Sequence, residues 1–192
     1  MEAVRTARRL HSRCLALALV AALTAAFAVA RPTPAFAVPT EYEVKAALVF
    51  NIMRFVEWPA TSFPTPDTPL VLAIMGQDEV SDALQALRGQ IVNGHPLEVR
   101  RVLTGEDARK CHVLYVAGSE TRRANDIIKA LRGASTLTVA DIQHFAERGG
   151  QINMVFEDQR VRVFVNPASA EESRLKISAK LLSLAQIVGE VP

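Results

Sequence analysis

Along the chain the apolar positions fall into alternating blocks of helical and of strand length. The segment EYEVKAALVFNIMRFVEWP, Glu41 to Pro59, has no glycine and no internal proline, which predicts one helix ended by Pro59. Lys45, Asn51, Arg54 and Glu57 interrupt an otherwise apolar surface carrying Val44, Leu48, Phe50, Ile52, Met53, Phe55 and Val56. A helix apolar on nearly all sides must be covered on more than one face. It is expected either to be sandwiched inside the domain or to lie in a subunit or partner interface.

A proline-punctuated loop, TSFPTPDTP, precedes the apolar strand LVLAIM, which Gly76 ends. Asp78 then caps a predicted helix to about Leu87, HPLEVRRV alternates like a strand, and CHVLYVAG reads as a buried strand. SETRRANDIIKALRG predicts a helix opened by Ser119 and closed by Gly133. STLTVA is a further strand, and Asp141 is placed to cap a short helix, IQHFAER. QINMVF and VRVFVN, separated by EDQR, predict a hairpin at one edge of the sheet. The final block, ASAEESRLKISAKLLSLAQIV, predicts a long amphipathic helix with Leu175, Ser178, Leu181, Leu182, Ala185 and Val188 on one face. Strands and helices alternating in this way predict a single compact α/β domain with a mixed, mostly parallel sheet flanked by helices, a C-terminal hairpin and a long last helix.

The N-terminus changes the setting. Arg5, Arg8, Arg9 and Arg13 precede the apolar stretch from Leu15 to Ala30, and AFA at Ala35 to Ala37 supplies small residues for cleavage. This is the pattern of a secretory signal peptide over residues 1–37, cut after Ala37, with an α/β domain over 38–192. Cleavage after Ala30 is poorer because Arg31-Pro32 would follow. The alternative, an uncleaved anchor, suffers from an apolar stretch of roughly 16 residues where a spanning helix needs about 20. Cleavage removes five of the 22 basic residues and one of the 20 acidic ones, leaving 17 against 19, so the formal charge goes from +2 to about −2. No basic stripe interleaved with aromatics remains, and no nucleic-acid partner is expected.

Cys14 leaves with the leader, so Cys111 is the lone mature cysteine and no internal disulfide can form. Its place at the head of an apolar run favours burial over intermolecular pairing. His95, His112 and His144 show no metal-ligand spacing, and His112, adjacent to Cys111 on a strand, points to the opposite face; surface or pocket-rim positions are the plainer reading. Ser119 lacks a nucleophile elbow, which leaves little for a hydrolase, and neither metal nor cofactor is expected. Gly149-Gly150 follows a helical block and lacks the G-x-G-x-x-G spacing, so a helix stop and strand entry explain it better than a phosphate cradle.

Three segments taken together, KAALVFNIMRFVEWP, TVADIQHFAERGGQINMVFEDQRVRVFVNPASA and RLKISAKLLSLAQIV, resemble the YfiR family of periplasmic proteins. The resemblance covers essentially the whole chain after the leader. Trp58-Pro59, Phe145, Gly149, Gly150, Asn166 and Ser178 through Leu182, including Leu181, match family positions and read mainly as determinants of fold. Cys111 resembles a recurring family cysteine, but the second one needed for a disulfide is missing. The resemblance implies a periplasmic, non-enzymatic regulator that binds the sensor domain of an inner-membrane signalling enzyme, a diguanylate cyclase, and lowers cyclic di-GMP. Phe50, Arg54 and Trp58 are the candidate partner-binding residues, since aromatic and arginine side chains dominate binding hot spots, with ordinary core roles for Phe50 and Trp58 the competing reading. A homodimer through the same helix is a further option. The alternative function is a periplasmic small-ligand-binding module linked to a sensor kinase or transport system.

Overall fold

The computed structural model describes residues 39–189. The expected leader and its cleavage point lie outside the described residues. The first helix, α1, runs from Glu41 to Met53 and is opened by a capping box, in which Thr40 accepts from the Glu43 N–H and the Glu43 carboxylate accepts from the Thr40 N–H. It stops well short of Pro59, against expectation. Val56–Glu57 is instead a short strand, β1, paired antiparallel with Lys176–Ile177, β9. Helical spacing through Phe55 and Val56 is overridden by a partner from the far end of the chain, and the residue before Pro59 is in any case disfavoured in a helix.

The central strands are β2 (Leu70–Met75), β4 (His95–Arg101), β5 (Val113–Val116), β6 (Leu137–Ala140) and β7 (Ile152–Glu157), with short β3 (Ile91–Val92) beside β4. Spatially they run β3-β4-β2-β5-β6-β7, followed by β8 (Arg160–Val165) and β10 (Gln186–Ile187). From β4 through β7 all neighbours are parallel, so the strand order reverses beside β2, as in a doubly wound sheet. Every residue of β2 is buried, and successive ones serve opposite layers. Leu70, Leu72 and Ile74 pack with Val49, Ile52 and Met53 of α1, while Val71, Ala73 and Met75 pack in the other layer with Ile127 and Leu131. Two buried faces explain why this strand reads as a continuous apolar run.

The expected hairpin forms between β7 and β8, closed by Asp158 and Gln159, both with positive φ (51° and 61°), a turn that matches strand twist. It is near the sheet's edge rather than at it, because β10 pairs with Phe164 and Val165. On one layer lie α1, α2 (Glu79–Gln85, capped by Asp78), α5 (Pro167–Glu172) and α6 (Ala179–Leu184); on the other lie α3 (Gly105–Ala108) and α4 (Ala124–Leu131).

Three further expectations are corrected. Ser119 does not cap α4; a 3-10 helix over Gly118–Arg123 intervenes, and the Ser119 hydroxyl accepts from the Gln77 N–H at 2.9 Å. Residues after Asp141 form successive turns rather than a helix, and the carboxylate of Asp141 is taken by Lys45. The long last helix is broken into α5, β9, α6 and β10. Arg174 takes φ 60°, which ends α5, and the Ser178 N–H donates to the Phe55 carbonyl, which holds β9 against β1. Leu175 and Leu181 are buried, so the apolar periodicity marks the core side of this segment although the helix is not continuous.

Candidate functional site

At the C-terminal ends of the parallel strands, Tyr115 of β5 is fully buried and donates to the Asp78 carboxylate at 3.0 Å, which also accepts the Gly118 N–H at 2.8 Å. Burial first, and then the Asp78 and Asp141 charges, push the Tyr115 phenol far above its ordinary range, so it is a permanent donor. Beside it, Lys45 is buried and its ammonium lies 2.5 Å from Glu41 and 2.6 Å from Asp141. Burial works against the Lys45 charge, but hydrogen bonds to the two carboxylates outweigh it and hold the ammonium above its usual pKa. Burial also raises Asp141, and Lys45 opposes that rise. These groups satisfy one another and tie α1 to the sheet.

At the opposite end, Trp58, Phe63, His95 and His112 form an aromatic cluster. Phe63 stacks between His95 (centroids 4.1 Å) and His112 (4.5 Å), and Trp58 meets Phe63 and His112 edge-on. His112 is buried rather than on the surface, though it lines a small cleft with Ser62 and Cys111: Nδ1 accepts the Val71 N–H and Nε2 donates to the Ser62 carbonyl, both at 3.0 Å. Burial pushes its pKa down and keeps it neutral. The Trp58 indole donates to the His112 carbonyl at 3.0 Å. Period-two alternation correctly separated His112 from Cys111 but could not see Phe63 arriving from the preceding loop.

The three candidate partner-binding residues are not brought to one place. Phe50 and Arg54, four apart, share a flank of α1 and its C-terminal cap, with Phe50 half-buried and Arg54 exposed. Trp58 lies beyond the end of that helix in the aromatic cluster. The other flank of α1, with Leu48, Asn51 and Ile52, and Phe55 just past its end, instead borders an open groove of about 430 Å³ whose other walls include Arg160 through Val163 of β8 and Leu181 and Leu184 of α6. The Lys180 ammonium lies over the Phe55 ring, 5.5 Å from its centre.

The glycine pair is a turn. Gly149 (φ 100°) donates to the Ala146 carbonyl and Gly150 to the Phe145 carbonyl, the two bonds of a Schellman motif. A Cβ at Gly150 would lie within 2.3 Å of two Phe145 ring carbons, and Phe145 is fully buried. Asn166 accepts the Ser169 N–H as the cap of α5 and donates to the Ala146 carbonyl at 2.9 Å. Ser178 caps α6, Leu181 is buried and Leu182 is partly buried, while Pro59 precedes a 3-10 turn at Ala60–Ser62. Cys111 is buried and free; its thiol donates to the Asp107 carbonyl at 3.3 Å and accepts from Arg100 at 3.0 Å. Among the described residues no group of three metal-ligating side chains converges, and no helix is long and apolar enough to cross a membrane.

Fold and site together define a doubly wound α/β domain whose buried polar groups are used to bind its own elements to one another. The chain belongs to the YfiR/HmsC-like family, whose model matches residues 42–186. That family is one of regulatory, periplasmic-type proteins of the cyclic di-GMP system in general, acting with a signalling partner. Among solved structures, a conserved domain protein from Vibrio cholerae O1 biovar El Tor is similar with a TM-score of 0.55 at 14% identity, covering 78% of this chain. This chain spans 60% of the length of that one, and the likeness is one of fold. A 3-hydroxyacyl-CoA dehydrogenase from Archaeoglobus fulgidus matches at TM-score 0.29 and 11% identity, over 64% of this chain and 57% of that one, too remote to carry an argument. No curated protein matches the sequence.

Proposed function

We propose that the protein is a non-enzymatic periplasmic repressor, exported by a leader cut after Ala37, that binds the sensor domain of an inner-membrane diguanylate cyclase. Family membership over residues 42–186 is the observation that carries this reading. Binding the inactive sensor conformation more tightly than the active one shifts the cyclase toward its inactive state. A 100-fold preference corresponds to about 2.7 kcal/mol, enough to command a near-balanced switch.

Phe50 and Arg54 are the proposed contact pair, with the exposed guanidinium beside a half-buried ring on one helix flank. The same flank is available to a homodimer. Trp58 is proposed to act indirectly, by holding the loop that follows the helix through its bond to His112. Deleting the gene is expected to raise cyclic di-GMP, and Phe50→Ala with Arg54→Ala to do the same while leaving the melting temperature of the purified protein within a few degrees. Unchanged cyclic di-GMP in the deletion strain under several growth conditions overturns the proposal.

A further inference from the structure

Exposed apolar side chains gather along one edge of the large sheet. Phe156, Leu184 and Ile187 are 44%, 75% and 42% exposed, and all three flank β8. Beyond β8 the sheet has only β10, which pairs with Phe164 and Val165. The stretch Arg160–Arg162 therefore has no strand on its outer side among the described residues.

Backbone direction follows from the ladder. In an antiparallel pair, the N–H and C=O of alternate residues turn toward the same neighbour. The Asn166 N–H donates to the Gln151 carbonyl at 2.9 Å, so the register Arg162 to Val155 and Arg160 to Glu157 turns those residues toward β7. Val161 and Val163 face outward, as does Val165, whose carbonyl accepts the Val188 N–H at 2.9 Å. Since β10 begins opposite Phe164, neither outward group of Val161 has a strand partner among the described residues. These open backbone groups run beside the apolar groove between α1 and α6.

We propose that this edge accepts an extended, acidic segment of a partner protein as an added β-strand, with an apolar side chain of that segment seated in the groove. Charge selects the occupant. Arg160 and Arg162 alternate with the valines along β8 and border the same groove, and Lys180 lies over the Phe55 ring that lines it. Arg162 is 2.7 Å from Asp158 through its terminal nitrogen, and its buried Nε, 3.4 Å from the Glu157 carboxylate, makes an ion pair without a hydrogen bond; Arg160 has no ion pair among the described residues. A second copy of this chain paired antiparallel about a two-fold axis would set Arg160 across from Arg162, or Arg162 across from itself, which like charge disfavours. Carboxylates at alternate positions of an incoming strand meet the unpaired Arg160 and compete with Asp158 and Glu157 for Arg162. This edge is on the other flank of α1 from Phe50 and Arg54, and its use does not depend on which enzyme the protein regulates.

The test is a titration of the purified protein with fluorescein-labelled nonapeptides that alternate glutamate with valine, followed by amide hydrogen exchange. Binding is expected with slowed exchange at Val161 and Val163. Leu184→Asp, at an exposed position that folding tolerates, is expected to weaken binding at least tenfold. Arg160→Glu with Arg162→Glu is expected to do the same and to transfer preference to a peptide alternating lysine with valine. No binding, protection elsewhere in the protein, equal binding of the lysine peptide by the native protein, or a dimer abolished by Leu184→Asp would each overturn the proposal. None of these outcomes touches the cyclic di-GMP measurement, so the regulatory reading stands or falls separately.

Discussion

The ammonium of Lys45 lies 2.6 Å from the carboxylate of Asp141, 96 residues later in the chain, and pins the start of α1 to the loop after β6. The two partners are unequally buried: the Lys45 side chain is 3% exposed and that of Asp141 27%. Removing Asp141 leaves a buried cation with only Glu41, whereas removing Lys45 leaves a carboxylate that water can reach. Asp141→Ala is therefore expected to cost about 2–4 kcal/mol in urea unfolding, and Lys45→Met distinctly less, because an aliphatic chain of similar length keeps the packing. Equal losses would mean that the pair's geometry, and not desolvation, sets the cost.

His112 makes stability depend on pH. Burial lowers its folded pKa below the ordinary value, so as pH falls below about 6.5 the unfolded chain takes up a proton that the folded one refuses. Stability is expected to be full above that pH and to decline as pH drops toward the folded pKa. The urea midpoint measured between pH 7.5 and 5.5 checks this, with a flatter profile expected for His112→Gln. Protonation would also place a cation against Phe63 and cost the bond from the Val71 N–H, so the decline should be accompanied by loss of Trp58 fluorescence anisotropy.

What was legible in the sequence followed from local periodicity. β2, β5 and β6 read as buried strands because both their faces are covered, and the β7–β8 hairpin read from two apolar runs around a polar turn. Errors came where a distant segment outbid a local pattern: Val56 left a helical stretch to pair with Ile177, and the same pairing broke the last helix at Lys176. Asp141, a reasonable helix cap by its neighbours, serves Lys45 instead. The groove beside β8 has no local signature for the same reason, since its walls come from α1, β8 and α6, and the periodicity around α6 predicts one long helix.

Cys111 is expected to be inert in the folded protein. Its thiol is buried and engaged with Asp107 and Arg100, so attack by a bulky disulfide reagent requires opening of the α3 region. Labelling with Ellman's reagent is expected to be slow in buffer and complete within minutes in denaturant, and non-reducing gels of the native protein are expected to show monomer. Rapid labelling of the native protein would contradict the burial.

Gly150 separates a turn requirement from a packing requirement. Its neighbour Gly149 needs φ 100° but has only Ile128 at 3.5 Å from an added Cβ, so Gly149→Ala meets backbone strain worth about 1–3 kcal/mol. At Gly150 the φ is not in the left-handed region, yet an added Cβ would fall within 2.3 Å of the Phe145 ring and 2.8 Å of its carbonyl. Phe145 is fully buried and cannot swing away without opening the second core layer. Gly150→Ala is therefore expected to be the more damaging change, by over about 3 kcal/mol, and Phe145→Leu in the same chain to recover part of the loss by removing the clashing ring edge. If Gly149→Ala proved worse and Phe145→Leu rescued nothing, the backbone angle and not the ring contact would be what demands glycine here.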